Sequence, residues 1–290
     1  MSGGSARHHA VVGLAFIVVE ALAIQTSAAV ITPVFSAIGP SAASAWRFIV
    51  GAIILLAITR PPLRRWTGHQ WRATLALGVS TAFMNQCFYQ SIARIPLGTA
   101  VAVEYLGPFV VAAVGKRSWR HLGFVALAGV GVVALVRPGG GITVAGVLFA
   151  AGSGVGWAAY AFSAQRVGGA TSGFGGLAVS MLISALLTLP FALGSLGRVV
   201  GGPELMGRVA LTAVLAIVIG FGAEMQALRR VRPSIVSVLL ALDPAVAFAV
   251  GFVLLGQHVS PWDVVGLACV IGAGVGVTTD INEGDLGVPR

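Results

Sequence analysis

The chain has 290 residues and a net charge of +9, yet 57% of its residues are hydrophobic and only 9% are charged. Soluble domains carry about a quarter charged residues, so this composition excludes an ordinary soluble globule and indicates a helical membrane protein. The Arg residues are scattered between apolar runs rather than gathered on one basic face, which argues against a nucleic-acid partner. Cys87 and Cys269 lie in apolar runs without any metal-binding spacing, so neither a disulfide framework nor a metal or other cofactor is expected.

Ten apolar runs follow one another along the chain, and each is close to the roughly 20 residues that cross a bilayer. They cover residues 10–33, 41–59, 71–93, 97–115, 121–137, 142–165, 171–196, 207–228, 234–255 and 262–279. The breaks between them are too short to hold a soluble domain. We therefore expect ten transmembrane helices, and the first is too long for a cleavable signal peptide.

The distribution of Lys and Arg predicts which ends of these helices face the cytoplasm. With the N-terminus placed inside, thirteen basic residues fall on cytoplasmic segments and four on outside segments. Cytoplasmic loops of membrane proteins carry the excess of Lys and Arg. Both termini are therefore expected in the cytoplasm, which an even number of helices satisfies.

Two pairs of similar segments predict an internal repeat. The segment WRHLGFVALAGVGVV at 119–133 resembles WDVVGLACVIGAGVG at 262–276, and QSIARIP at 90–96 echoes QALRRVRP at 226–233. Together they match helices 3–5 to helices 8–10, and an odd number of helices per half turns the second half upside down. We expect an all-α polytopic membrane protein with two inverted five-helix repeats. Their predicted bounds are 10–137 and 142–279, followed by a disordered cytoplasmic tail at 280–290.

Two acidic residues lie deep in apolar runs at matching places of the predicted repeats. Glu104 is about 11 Å into helix 4 and Asp243 about 14 Å into helix 9, and the prolines Pro108 and Pro244 follow them. A charge at this depth is costly and usually faces an internal cavity, and a proline there bends the helix and frees carbonyl groups. The pattern predicts a proton or ammonium site, and the alternative is a protonated acid that only ties helices together.

Three further charged residues lie inside apolar runs. Arg47 could reach the outer interface or pair with an acid or a substrate carboxylate. Glu20, in the middle of helix 1, could pair with Arg47 or titrate, and its role is left open. Glu224 stands one to two turns before Arg229 and Arg230, which predicts a local surface pair.

Amide and aromatic side chains gather on helices 1, 3 and 6. As a set they predict the lining of a cavity for a small zwitterion, although each alone could serve helix packing: Gln25, Asn85, Tyr89, Trp157 and Tyr160. The nearby GSGVG at 152–156 contains the GxxxG pattern of close helix packing and lacks the features of a nucleotide loop.

Four segments carry a family resemblance. AWRFIVGAIILL at 45–56, FYQSIARIPLGTAVAVEYLGP at 88–108, GWAAYAFSAQR at 156–166 and the stretch from EMQALRRV to VLLGQ at 224–257 resemble the EamA-type branch of the drug/metabolite transporter superfamily. PLGTAVAVEYLGP at 96–108 is similar to the threonine/homoserine exporters of bacterial inner membranes. The resemblance extends over residues from about 10 to 280.

This resemblance implies a protein of the bacterial inner membrane with two inverted EamA repeats. It would export small neutral amino acids, coupled to protons and without a cofactor. It extends to these residues: Arg47, Tyr89, Pro96, Gly98, Glu104, Pro108, Trp157, Tyr160, Glu224 and Pro244. Asp243 departs from the pattern, because the exporters usually carry a longer acid before the proline. A homodimer is compatible with the sequence.

Two other interpretations stay open from the sequence. An exporter of drugs, nucleosides or aromatic metabolites would depend more on the aromatic residues of helices 3 and 6 than on the acids. An intramembrane enzyme would need a nucleophile–base pair or a metal set, but all five histidines lie at the tail or at loop edges. We therefore expect a transporter and not an enzyme.

Overall fold

The computed structural model describes residues 3–107, 119–136, 142–171, 173–230 and 243–285. Within these ranges every regular element is helical. The α-helices are α1 (Gly3–Ile31), α2 (Phe35–Ile38), α3 (Pro40–Thr59), α4 (Gly68–Ile92), α5 (Leu97–Glu104), α6 (Trp119–Leu135), α7 (Val144–Ala170), α8 (Gly175–Leu193), α9 (Leu196–Gly201), α10 (Pro203–Ala213), α11 (Phe221–Arg230), α12 (Asp243–Leu255) and α13 (Pro261–Asp285). Short 3₁₀ turns cover Thr32–Val34 and Leu63–Arg65, and a π-helix, Val214–Gly220, joins α10 to α11.

Where the predicted apolar runs are described, most of their residues are helical. Five stretches are long and apolar enough to cross a membrane: Ala15–Ile38, Pro40–Thr59, Val144–Ala170, Gly175–Leu193 and Pro203–Ala227. Three shorter apolar helices accompany them: Gly123–Leu135, Asp243–Leu255 and Pro261–Gly276. The all-helical architecture is confirmed, whereas the count of ten spans and the side on which the termini lie stay predictions.

Several helices begin at residues whose chemistry favours a helix start. Before α3, Gly39 has a φ of +81°, and Pro40 opens the helix, where its missing N–H is not needed. At α4, Thr67 and Gln70 form a reciprocal capping box, which satisfies two backbone donors. At α7, the side chain of Thr143 accepts a 3.1 Å hydrogen bond from the backbone N–H of Gly146. These caps separate successive apolar runs into distinct helices.

The helices pack in a regular scheme. α3 lies against α8, α5 against α12, and α6 against α13. α4 lies against α7, and α1 lies against the π-helix and α11. When each run is matched with the run five places later, the first three contacts join matched helices. The other two contacts are crossed: α4 packs against α7, the counterpart of α1, and α1 packs against the π-helix and α11, the counterpart of α4.

Glycines sit where helices come closest. A Cβ on Gly156 of α7 would lie 2.8 Å from Cα of Met84 in α4, and one on Gly78 of α4 would lie 2.8 Å from the carbonyl oxygen of Ser180 in α8. No side chain can enter such gaps without moving a backbone. The motif at 152–156 therefore packs helices, as its GxxxG pattern predicts.

Buried apolar side chains form two clusters. One includes Ile31, Leu97 and Val250, and the other includes Phe48, Leu77, Met181 and Ile217. Close packing of these side chains holds the helices that carry the polar residues considered below.

The last helix reaches further than the tenth apolar run. α13 extends to Asp285 and so includes the first residues of the segment 280–290 for which the sequence predicts disorder. Residues 286–290 lie outside the described part of the chain.

Candidate functional site

A central cavity lies among α1, α3, α4, α5, α7, α11, α12 and the π-helix. It offers about 70 Å³ to a water-sized sphere, which is room for a few water molecules or a small solute. Seven of the eight binding residues predicted from the sequence line it: Gln25, Arg47, Asn85, Glu104, Trp157, Tyr160 and Asp243. The structure thus brings together residues from six of the predicted transmembrane runs.

Glu104, at the end of α5, faces this cavity and contacts Ser153 of α7. The Ser153 hydroxyl is fully buried and lies within hydrogen-bond distance of Oε1 of Glu104 and, at 2.9 Å, of the carbonyl oxygen of Met84. A serine hydroxyl has a single hydrogen to donate. With Ser153 as donor to both oxygens, that hydrogen is shared between Glu104 and Met84, whereas a protonated Glu104 would free it for Met84. An ionised Glu104 would compete with Met84 for that hydrogen.

Arg47 of α3 is 3% exposed and belongs to the cavity wall. This burial excludes the outer-interface position, and no ion pair joins Arg47 to any acid in the described ranges. Its guanidinium instead donates to Oδ1 of Asn85, and its central carbon lies 4.7 Å from the ring centroid of Tyr89. The ring of Tyr89 packs against the guanidinium of Arg47, and Tyr89 itself is not among the residues that line the cavity.

Glu224 requires a correction. The predicted surface pair with Arg229 and Arg230 is wrong for the carboxyl group, because Glu224 is only 9% exposed and lines the cavity. The hydroxyl of Tyr160 donates a 2.8 Å hydrogen bond to its Oε2 atom. Nearness in sequence did not predict side-chain direction, since the wider turns of the preceding π-helix change the register of α11.

Glu20 and Asp243 complete the set of cavity acids. They are 4% and 6% exposed, respectively, and both line the cavity. Oε2 of Glu20, Oδ1 of Asp243 and Oε1 of Gln25 have no hydrogen-bond partner within the described ranges. Buried polar atoms are nearly always partnered in proteins, so these three acceptors need an explanation.

The two prolines predicted to bend helices at the cavity have different outcomes. Pro244 is buried next to Asp243 at the start of α12 but is not among the lining residues. Pro108 lies outside the described residues. The bending role stays a prediction for both.

Sequence reasoning missed several parts of the wall. Tyr105 packs edge-on against Trp157 with ring centroids 4.5 Å apart, and Phe221 lies 5.7 Å from Tyr160. Ser153 does not line the cavity but binds Glu104, which does, and its GSGVG motif indicated only helix packing. An ionisable residue inside a membrane helix is a functional candidate by default, and that rule alone would have placed Glu20 and Glu224 at the cavity.

Sequence comparison identifies known proteins that are similar to this chain. The sequence profile of the EamA-like transporter family matches residues 144–279. The threonine/homoserine exporter RhtA of Escherichia coli K12 is 31% identical over 273 residues, which are 93% of this chain and 92% of that protein. RhtA of Salmonella typhimurium SL1344 is 31% identical over 263 residues, 90% of this chain and 89% of its own. The chain belongs to the EamA-like transporter family.

The fold of this family member also matches a solved crystal structure. That protein has a TM-score of 0.58 at 19% identity, and the match covers 97% of this chain and 99% of the other. As an EamA-like transporter with several long apolar helices, the chain is a multi-pass protein of the bacterial inner membrane. Membership of a transporter family indicates a transporter rather than an enzyme.

Proposed function

We propose that this protein is a secondary-active exporter of small neutral amino acids of the threonine and homoserine type. The observation that carries the proposal is the charge content of one buried cavity. Arg47 provides a cation there, and Glu20, Glu104, Glu224 and Asp243 provide carboxyl groups. An amino-acid zwitterion needs both signs, and its two charged groups can be buried only against opposite partners. The two exporters named for threonine and homoserine, each 31% identical, support this substrate class.

Alternating access between two inverted halves is the proposed mechanism. Inverted repeats place a substrate site near the membrane midplane at their interface. The pairing of α3 with α8, α5 with α12 and α6 with α13 supports such a relationship, since each pair joins predicted counterparts. We expect the halves, 10–137 and 142–279, to rock about the cavity while both termini stay in the cytoplasm.

Proton coupling through Glu104 is part of the same proposal. The hydrogen of Ser153 can satisfy either Met84 or an ionised Glu104, so protonation of this acid changes a contact between α4, α5 and α7. Such a contact could link a proton to helix movement. A homodimer stays a prediction from the sequence.

The second candidate is an exporter of aromatic or lipophilic compounds. The edge-on pair of Tyr105 and Trp157 favours it, because a flat substrate could pack on these rings. The charged wall favours an amino acid instead. A resistance screen of an overexpressing strain against toxic amino-acid analogues and against drugs separates the two candidates.

Transport in proteoliposomes tests the leading proposal. Purified protein should move labelled threonine across the membrane, and an imposed pH gradient should change the rate. Liposomes without protein and the variant Glu204→Gln, an exposed acid paired with Arg208 at 3.1 Å, serve as controls. If no amino acid from a panel is transported, the proposed function is wrong.

A further inference from the structure

The unpartnered atoms of the cavity wall have a definite chemical character. Three of them are acceptors from buried side chains, namely Glu20, Gln25 and Asp243. One is a donor, Nε of Arg47. A ligand that satisfies all four atoms must present several hydrogens at one end and an acceptor at the other.

The acids are not neutralised by neighbouring cations. Glu20 interacts electrostatically with both Asp243 and Glu224, so three carboxyl groups share one region of the cavity. No cationic side chain in the described ranges forms an ion pair with them. A buried charge without a partner is very costly, so this region favours a bound cation or bound protons.

We propose that Glu20, Gln25 and Asp243 form a subsite for a primary ammonium group, with Glu224 adding negative potential from the side. This subsite rests on the proposed function, since it receives the α-ammonium of the exported amino acid. An ammonium carries three N–H donors, which equals the number of these unpartnered acceptors, two of which belong to carboxyl groups.

The opposite end of the ligand would lie at Arg47. Asn85 occupies one side of the guanidinium and Tyr89 one face, which leaves Nε for a carboxylate. Arg47 stands on α3 beside Asn85 of α4, whereas Glu20 and Asp243 stand on α1 and α12, so the cation and these acids enter the cavity from different helices. The substrate would therefore bind in one orientation, with its carboxylate toward α3 and α4 and its ammonium toward α1 and α12.

Competition by half-substrates tests the subsite in the intact protein. Ethanolamine presents an ammonium without a carboxylate, and lactate presents a carboxylate without an ammonium. Both should inhibit labelled threonine transport by the wild-type protein. In Glu20→Gln and Asp243→Asn, inhibition by ethanolamine should weaken about tenfold, since a charge-assisted hydrogen bond is lost, while inhibition by lactate stays within about twofold.

The lactate measurement also shows that each variant is folded and competent to bind. Glu204→Gln is the matched control, because it removes an exposed acid and should leave both inhibition constants unchanged. The subsite would be overturned if inhibition by ethanolamine and inhibition by lactate weakened equally in the cavity variants, or if neither weakened. If the wild-type protein transports no amino acid, the proposed function fails independently.

A second readout does not depend on transport. The melting temperature of the detergent-purified protein should rise with ethanolamine and not with the same concentration of sodium chloride, because ligand binding to the native state stabilises it. Glu20→Gln should abolish that rise. An equal rise with sodium, or an undiminished rise in the variant, would count against an ammonium subsite.

Discussion

The hydroxyl of Tyr160 donates a 2.8 Å hydrogen bond to Oε2 of Glu224, and both side chains line the central cavity. The bond joins α7 to α11 and holds a buried carboxyl group in place. It also lies directly after the π-helix Val214–Gly220, an element that often marks functional sites in membrane and soluble proteins. Movement of α11 against α7 would have to break this bond.

Tyr160→Phe should lower the free energy of unfolding by about 1–3 kcal/mol, because it leaves a buried acceptor unsatisfied. Glu224→Gln keeps an acceptor for the tyrosine and should cost less. Denaturant titration of both variants in detergent gives the comparison. A Phe variant as stable as the wild-type protein would show that the bond contributes little.

Ser153→Ala should reduce the initial rate of threonine transport, because it removes the hydroxyl shared by Glu104 and Met84. Ser163→Ala is the matched control on the same helix, since the bond that Ser163 makes within the described ranges is to the carbonyl of Ala159 in its own helix, at 2.8 Å. We expect the control to transport like the wild-type protein. Equal rates for both variants would remove Ser153 from the mechanism.

Glu104→Gln retains the shape of the side chain and its hydrogen bonding but cannot ionise. If Glu104 carries the coupling proton, the variant should lose the response of transport to an imposed pH gradient. Rates at several gradients in proteoliposomes measure this. A variant with the wild-type rate and pH response would make Glu104 a structural residue.

Arg47→Lys keeps a positive charge but loses the flat guanidinium that stacks on Tyr89 and the Nε donor. Lys and Arg are not equivalent at such a site. The KM for threonine should rise about tenfold, and inhibition by lactate should weaken in parallel while inhibition by ethanolamine is kept. Loss of ethanolamine inhibition in this variant would contradict the proposed orientation of the substrate.

Gly154→Ala should destabilise the protein by about 1–3 kcal/mol through overpacking. The added Cβ would lie 2.5 Å from the carbonyl oxygen of Glu104 and 3.2 Å from the backbone nitrogen of Gly107, neither of which can rotate away. Gly168→Ala on the same helix meets no atom within 4 Å and should gain up to about 1 kcal/mol from helix propensity. Thermal unfolding of the two variants measures the difference, and a neutral Gly154→Ala would refute the close approach.

Many residues of the site could be predicted from the local sequence pattern alone. Glu104, Asp243 and Arg47 were predictable because a charge inside an apolar run is conspicuous whatever surrounds it. Asn85, Trp157 and Tyr160 were predictable only as a group, since polar and aromatic residues also serve ordinary helix packing. Ser153 and Tyr105 could not be recognised, because their importance comes from contacts with residues far away in the chain.

That the chain consists of apolar membrane helices follows from residue order alone, since length, hydropathy and the spacing of breaks are local properties. The few charges inside the apolar runs are visible in the same way. The direction in which those charges face depends on how the helices pack. Glu224, four residues beyond a π-helix, turns inward to Tyr160, and Arg47 finds Asn85 rather than an acid. The rotation of each helix about its axis depends on how all its neighbours pack, and no single helix encodes that.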